Sequence, residues 1–227
     1  MKRALAAAVA LIALVSCRQA PAPKPPERPK PDLFLLTSLP IAWSEQFSLD
    51  QPKSPVMTAL EKDYRVKLID LPSQLPKGAV LLAAQPRALP AEELVKLDAW
   101  VRAGGRLLLL ADPMLEWPSD LPLGDKRRAP TAFADTGLLQ HWGLRLDAPE
   151  HRGPVQSQIG GRPVQTASPG LLVLERGRCR FSDQGFVGRC AIGRGQVTVI
   201  ADADFLNVGT DDPNLFALES QLASLTR

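Results

Sequence analysis

The chain has 227 residues and a formal charge of +3, with 45% apolar and 22% charged side chains. That composition excludes a collagen-like chain, a coiled coil and a disulfide-dense miniprotein, and it suffices for one core of about 200 residues. The charge is unevenly placed: residues 1–32 hold six basic and two acidic side chains, leaving 21 basic and 22 acidic over residues 33–227. Without a Lys/Arg excess the body has no electrostatic footprint for nucleic acid, so no nucleic-acid partner is expected.

At the N-terminus, Lys2 and Arg3 precede the apolar run Ala4–Val15. Its 12 residues fit a signal h-region and fall short of the ~20 needed to span a bilayer. The run ends Leu14-Val15-Ser16-Cys17, which resembles the bacterial lipobox: an aliphatic residue three before the Cys and a small residue just before it. That resemblance implies a signal peptide over 1–16 and a lipid anchor on Cys17. The competing reading is an ordinary secretory signal cut near Ala20 or Ala22. Arg18 stands where an Asp would favour inner-membrane retention in enteric-type sorting, so localisation leans to the periplasmic side of the outer membrane. Six prolines within residues 18–32 favour an extended polyproline II spacer, giving a tether over 17–32.

One α/β domain is expected over 33–227. Leu33–Thr37, Val66–Asp70, Ala79–Ala83, Arg106–Ala111 and Gln196–Ala201 are short, near-continuous apolar runs. Such runs read as strands of a parallel sheet buried on both faces. Helical spacing marks Pro55–Tyr64, Ala91–Ala103, Asp135–Trp142 and Asn214–Leu225; Pro90 suits the first helical turn and Gly104 the C′ position. Strand, helix and strand with short connections give right-handed crossovers. The architecture is therefore an open, mostly parallel sheet with helices on both faces. Residues 113–130 form a long loop carrying Lys126-Arg127-Arg128, a triplet that is either a partner contact or simply solvated. Residues 149–195, rich in Gly, Arg and β-like runs, read as a small antiparallel β-hairpin insertion or edge. Gly193-Arg194-Gly195 precedes a strand, so it is a turn and not a dinucleotide fingerprint.

Cys179 and Cys190 flank Ser182-Asp183-Gln184-Gly185. A hairpin centred between Gln184 and Gly185 places them opposite one another, and export makes a disulfide reasonable. A two-residue loop would put the pair on a hydrogen-bonded site, a four-residue loop on the closer-spaced one. Two buried free thiols are the alternative.

Two strands end alike, in Asp112-Pro113 and in Asp202-Ala203-Asp204, with Asn207 close behind. Ligands of open α/β sheets bind outside the carboxyl ends of the strands, so Asp112, Asp202, Asp204 and Asn207 are candidate ligand-binding residues. The competing role is structural, since Asp accepts backbone N–H bonds in turns after strands. No G-x-S-x-G, C-x-x-C, H-E-x-x-H or Walker A motif occurs, and neither body cysteine follows a buried strand at a sharp elbow. No catalytic residue, metal ligand or cofactor is assigned. His141 reads as a surface histidine and His151 as a loop residue.

The stretch Leu89-Pro90-Ala91-Glu92-Glu93-Leu94, continuing Leu97-Asp98-Ala99-Trp100-Val101-Arg102-Ala103-Gly104-Gly105-Arg106-Leu107-Leu108 and ending at Asp112-Pro113, carries a resemblance. With Gly193–Val197 and Ala201–Asn207, it is similar to the periplasmic domain of the auxiliary component of uncharacterised, gliding-motility-type ABC transport systems. The resemblance implies a class I amidotransferase-like, flavodoxin-related fold without the amidotransferase nucleophile. It also implies a role beside an ABC transporter and no assigned catalytic residues. The chain departs from that component in carrying a lipobox and a Pro-rich tether where the relatives have membrane spans. The expected function is a non-enzymatic, membrane-tethered periplasmic binding or scaffolding domain, with the membrane and ABC-transporter or envelope proteins as partners. The alternative is an envelope hydrolase or metal-dependent enzyme using the strand-end carboxylates.

Overall fold

A computed structural model describes residues 29–45, 52–207, 209 and 212–226. The signal peptide, Cys17 and most of the tether lie outside the described residues. The first half builds β1 (Asp32–Thr37), α1 (Pro55–Asp63), β2 (Arg65–Leu68), β3 (Val80–Ala84), α2 (Ala91–Arg102) and β4 (Arg106–Leu110). A short helix α3 (Leu138–His141) leads into β5 (Leu144–Asp147), β6 (Pro154–Ile159), β7 (Arg162–Ala167), β8 (Leu171–Leu174) and β9 (Arg180–Ser182). The chain closes with β10 (Val187–Ile192), β11 (Gly195–Ile200) and α4 (Pro213–Thr226).

A seven-stranded sheet runs β2-β1-β3-β4-β11-β10-β9. Its first five strands are parallel; β10 is antiparallel to β11 and β9 antiparallel to β10. The expected insertion over 149–195 is therefore divided. The hairpin β6–β7 and the ribbon β5–β8 stand apart as two-stranded sheets, while β9 and β10 extend the main sheet. The physical reason is the two-residue turn Gly193-Arg194, which opposes Ile192 to Gly195 and hands the ladder of β11 straight to β10. The same turn packs against the end of α2, about 90 residues away, where the Arg194 N–H donates to Arg102 O (3.0 Å). A Cβ on Gly195 would lie 2.0 Å from the Val101 carbonyl oxygen, so only glycine lets the strand start against the helix end.

Local signals set the helices. Ser54 caps α1 by accepting the Met57 N–H (3.1 Å), with Pro55 at the first helical position. The Gly-Gly pair ends α2: the Gly104 N–H donates to Val101 O, the Gly105 N–H to Trp100 O, and Gly104 takes φ 111°. That is the Schellman arrangement, which satisfies carbonyls the helix leaves open. Alternation along β4 divides the core into two layers. Leu107 and Leu109 meet Leu94 and Leu97 of α2. On the opposite side Arg106 donates to the Leu225 carbonyl of α4 (3.3 Å), so helices cover both faces of the sheet. Leu81, Leu82, Leu107, Leu108 and Leu110 have no exposed area, which is why these strands read as continuous apolar runs.

Candidate functional site at the carboxyl edge

The parallel strands all point their carboxyl ends to one edge. Over β4 and β11 that edge is closed by a buried polar network. Asp112 Oδ1 accepts the Met114 N–H (2.8 Å), and its Oδ2 accepts the Ala203 N–H (2.9 Å) across from the next strand. Asp202 Oδ1 accepts the Phe205 N–H (3.0 Å), and Thr166 Oγ1 of β7 sits 2.6 Å from both carboxyl oxygens. Asp204 Oδ2 accepts the Glu116 N–H (2.7 Å). Ser168 Oγ in turn donates to Glu116 Oε1 and accepts the Gly153 N–H (2.8 Å). The carboxylates thus stitch the loops after β4 and β11 to β7. Asn207 stands apart: its N–H closes the turn onto Asp204 O (2.9 Å), and the residue is exposed.

Burial governs the charge state of this network, because no described salt bridge reaches it. Desolvation pushes Asp112 up to about 6, against the backbone N–H bonds that favour its ionised form. Asp204 is pushed up to about 7 by burial, with Asp112 and Glu116 adding repulsion. Asp202, fully buried and next to Asp112, is driven well above the usual carboxylate range. One of its short contacts to Thr166 can therefore be the acid's own O–H donating to the hydroxyl. Among the described residues no group of three His, Cys, Asp or Glu side chains is placed to hold a metal ion.

The sequence reading missed Gln85, Thr166, Ser168 and Glu116. Gln85 ends β3 in a left-handed conformation, φ 44°, wholly buried. Its Oε1 accepts the Asp112 N–H (2.9 Å) and its Nε2 donates to Asp112 O (3.1 Å), as a surrogate strand rung. The available signal was its place: a polar residue between an apolar run and Pro86. Thr166 and Ser168 carry no such mark, since the pairing of β6–β7 with the sheet edge is long-range.

Over β1 and β3 the same edge is open. Strand order reverses here, from β1 outward to β2 and back past β1 to β3, which makes it the topological switch point. A cleft of about 290 Å³ is lined by Ser38, Trp43, Ser44, Arg87, Lys126 and Arg127, among others. Thr37 Oγ1 donates to Ala84 O (2.9 Å) and Ser38 Oγ to Gln85 O, pinning the two strand ends together. Arg87 donates to the carbonyls of Lys126 (2.6 Å) and Arg128 (2.7 Å), so it holds the long loop at the rim.

At the far edge Cys179 and Cys190 form a disulfide with Cα atoms 4.3 Å apart. Residues 183–186 make a four-residue loop, and the β9–β10 register continues to oppose 179 with 190. The spacing is that of the closer, non-hydrogen-bonded site. His141 is exposed, 3.6 Å from Asp98, and His151 is an exposed loop residue. No described helix is long and apolar enough to cross a membrane.

A doubly wound α/β domain with a sealed carboxylate network beside an open switch-point cleft is the class of protein defined so far. Residues 30–165, more than half of the chain, match the family described as "ABC-type uncharacterized transport system", its auxiliary component. The chain belongs to this family. No curated relative matches the chain. Among solved structures, the exo-β-1,4-mannosidase Op5Man5 from Opitutaceae bacterium strain TAV5 is 16% identical with a TM-score of 0.51, covering 87% of this chain and 35% of that one. The E323A mutant of Gan42B, a GH42 β-galactosidase from G. stearothermophilus, is 14% identical with a TM-score of 0.51, covering 88% and 30%. The cytoplasmic protein STM3548 from Salmonella typhimurium is 9% identical with a TM-score of 0.51, covering 86% and 98%. This chain spans about a third of the length of the two glycosidases. At such identities the likeness is one of fold.

Proposed function

We propose that the protein is a non-enzymatic binding or scaffolding domain, exported and held at the envelope by a lipid on Cys17, that serves an ABC-type transport system. Family membership supports the transport association. One observation carries the non-enzymatic part: the polar groups at the ends of β3, β4 and β11 are bonded into the fold. Asp112 and Asp202 spend their oxygens on backbone N–H groups and Thr166. The sharp left-handed turn after β3, the kind of place where amidotransferase-like domains hold a Cys, carries Gln85, whose amide is consumed by Asp112. The parallel order β2-β1-β3-β4-β11 suits an amidotransferase-like, flavodoxin-related fold that has lost its nucleophile. Tethering through residues 17–32 would leave the domain free to reach a membrane partner.

Gentle crosslinking in native membranes, followed by purification of the full chain, tests the association. Recovery of an ABC ATPase and its permease is expected; recovery of the chain alone removes the transport role. Labelled palmitate should be incorporated by the wild-type chain and not by Cys17→Ser. Equal labelling of both would remove the anchor.

A further inference from the structure

The switch-point cleft joins features that the network next to it lacks. It is open to solvent, and two of the cationic groups on its walls, Arg87 and Lys126, have no carboxylate partner among the described residues. Among the described residues Arg87 donates only to carbonyl oxygens and Lys126 makes no salt bridge. Arg127 also lines the cleft, though it is paired with Asp125 (2.8 Å), and Glu45 is the one acid on the wall among the described residues, accepting from Ser119 Oγ (2.9 Å). Trp43 stands on the same wall with 59% of its surface exposed. An exposed indole, apolar on its ring and polar at its N–H, is a side chain enriched at binding surfaces. Ser44 lines the same cleft through its other atoms. Its Oγ is shut away from solvent and finds no hydrogen-bond partner among the described residues, an uncommon state for a buried hydroxyl.

From these we infer that the cleft over β1 and β3 binds an anionic saccharide: a sugar ring against the Trp43 indole, its carboxylate or phosphate taken by Lys126 and Arg87. An indole face suits the C–H side of a sugar ring, and Ser38, whose own O–H is given to Gln85 O, lines the same cleft as an acceptor for a ring hydroxyl. A guanidinium fixed by two carbonyls keeps its remaining N–H groups aimed, the condition under which Arg reads an oxyanion geometrically. Lys126 and Arg127 of the basic triplet then form the cationic rim of this cleft, while Arg128 turns its guanidinium to Leu121 O (2.6 Å); Arg87 fastens the triplet's backbone and leaves the Lys126 ammonium without a carboxylate partner among the described residues.

The inference rests on reading the body as a binding domain, and it is independent of which protein the domain serves. Isothermal titration of the full chain in detergent uses glucuronate, glucose 6-phosphate, glucose and inorganic phosphate as probes. Saturable binding of one or both charged sugars is expected, with glucose and phosphate each at least ~10-fold weaker. Which charged sugar binds tighter tells a uronate source from a phosphosugar source. Lys126→Ala and Trp43→Ala should each weaken binding about 10-fold with an unchanged thermal midpoint, whereas Lys77→Ala, on a loop before β3, should leave it unaltered. Absence of saturable binding up to ~10 mM, binding untouched by both variants, or phosphate binding as tightly as the sugar phosphate would each overturn the inference. A failed titration leaves the crosslinking result standing, and the reverse also holds, so the two readings fail separately.

Discussion

Two halves of one sheet edge use their polar residues in opposite ways. Over β4 and β11 the strand-end carboxylates are buried, turned onto backbone N–H groups and raised toward neutrality. Over β1 and β3, the next pair of strands along the sheet, cations and an indole face an open cleft. The difference follows from what covers each half. The chain leaves β4 into a long excursion and returns through β7 and β8, and these close over the Asp112 and Asp202 end. Among the described residues only a loop rim reaches the β1 and β3 end. Strand ends in a doubly wound sheet thus become either turn anchors or ligand groups according to whether water is excluded from them.

The contrast can be broken most forcefully at Asp202. Asp202→Ala orphans the Thr166 hydroxyl and the Phe205 N–H in a fully buried place, and should cost ~2–5 kcal/mol in urea unfolding. An effect below ~0.5 kcal/mol would mean that the network is open to water. Next in size is a pH effect. Asp112 and Asp204 keep their protons to about 6 and about 7 in the folded chain, above the unfolded value of 3.8. Folding therefore takes up protons between those values. Stability should be greatest on the acidic side of this window and fall as pH rises through it, by on the order of 3 kcal/mol for Asp112. Unfolding midpoints across pH 4–8 would read this, and Asp125, lowered to about 2 beside Arg127, titrates below that range. Smaller again is Asp204→Asn. It keeps an acceptor for the Glu116 N–H and removes a charge facing Asp112 and Glu116, so it should stabilise the chain by ~1–2 kcal/mol at pH 8 and flatten the slope. Least of all, Lys126→Ala and Trp43→Ala should alter stability by less than ~0.5 kcal/mol, because both side chains are exposed. A larger loss at either would make the cleft wall structural.

Much of the sheet was legible because local rules agree with the global result. Four apolar runs and the strand before Ala201 sit within a residue or two of β1, β3, β4, β11 and, less closely, β2. The Gly104-Gly105 pair and Pro90 bracket α2 as expected. The disulfide was legible as a pairing, and the loop length decided its register. Less was legible between residues 144 and 192. Those strands alternate weakly, are largely exposed and take their partners from ladders formed at a distance. The site was half read. Asp112, Asp202 and Asp204 were located at the correct edge, and their partners could not be, because Thr166, Ser168 and Glu116 reach them across 36 to 88 residues of chain.

By itself the sequence determined the five parallel strands, the ends of α2, the neutral body and the N-terminal pattern that predicts export. These depend on short-range chemistry: apolar run length, capping, left-handed glycines and the placement of charge. Tertiary structure alone decided which strand ends are buried and which face a cleft, since desolvation depends on what distant segments fold over a residue. An Asp after a strand and a Lys in a loop look equally available in a sequence. Burial turns the first into a proton-holding anchor, and its absence leaves the second a free cation.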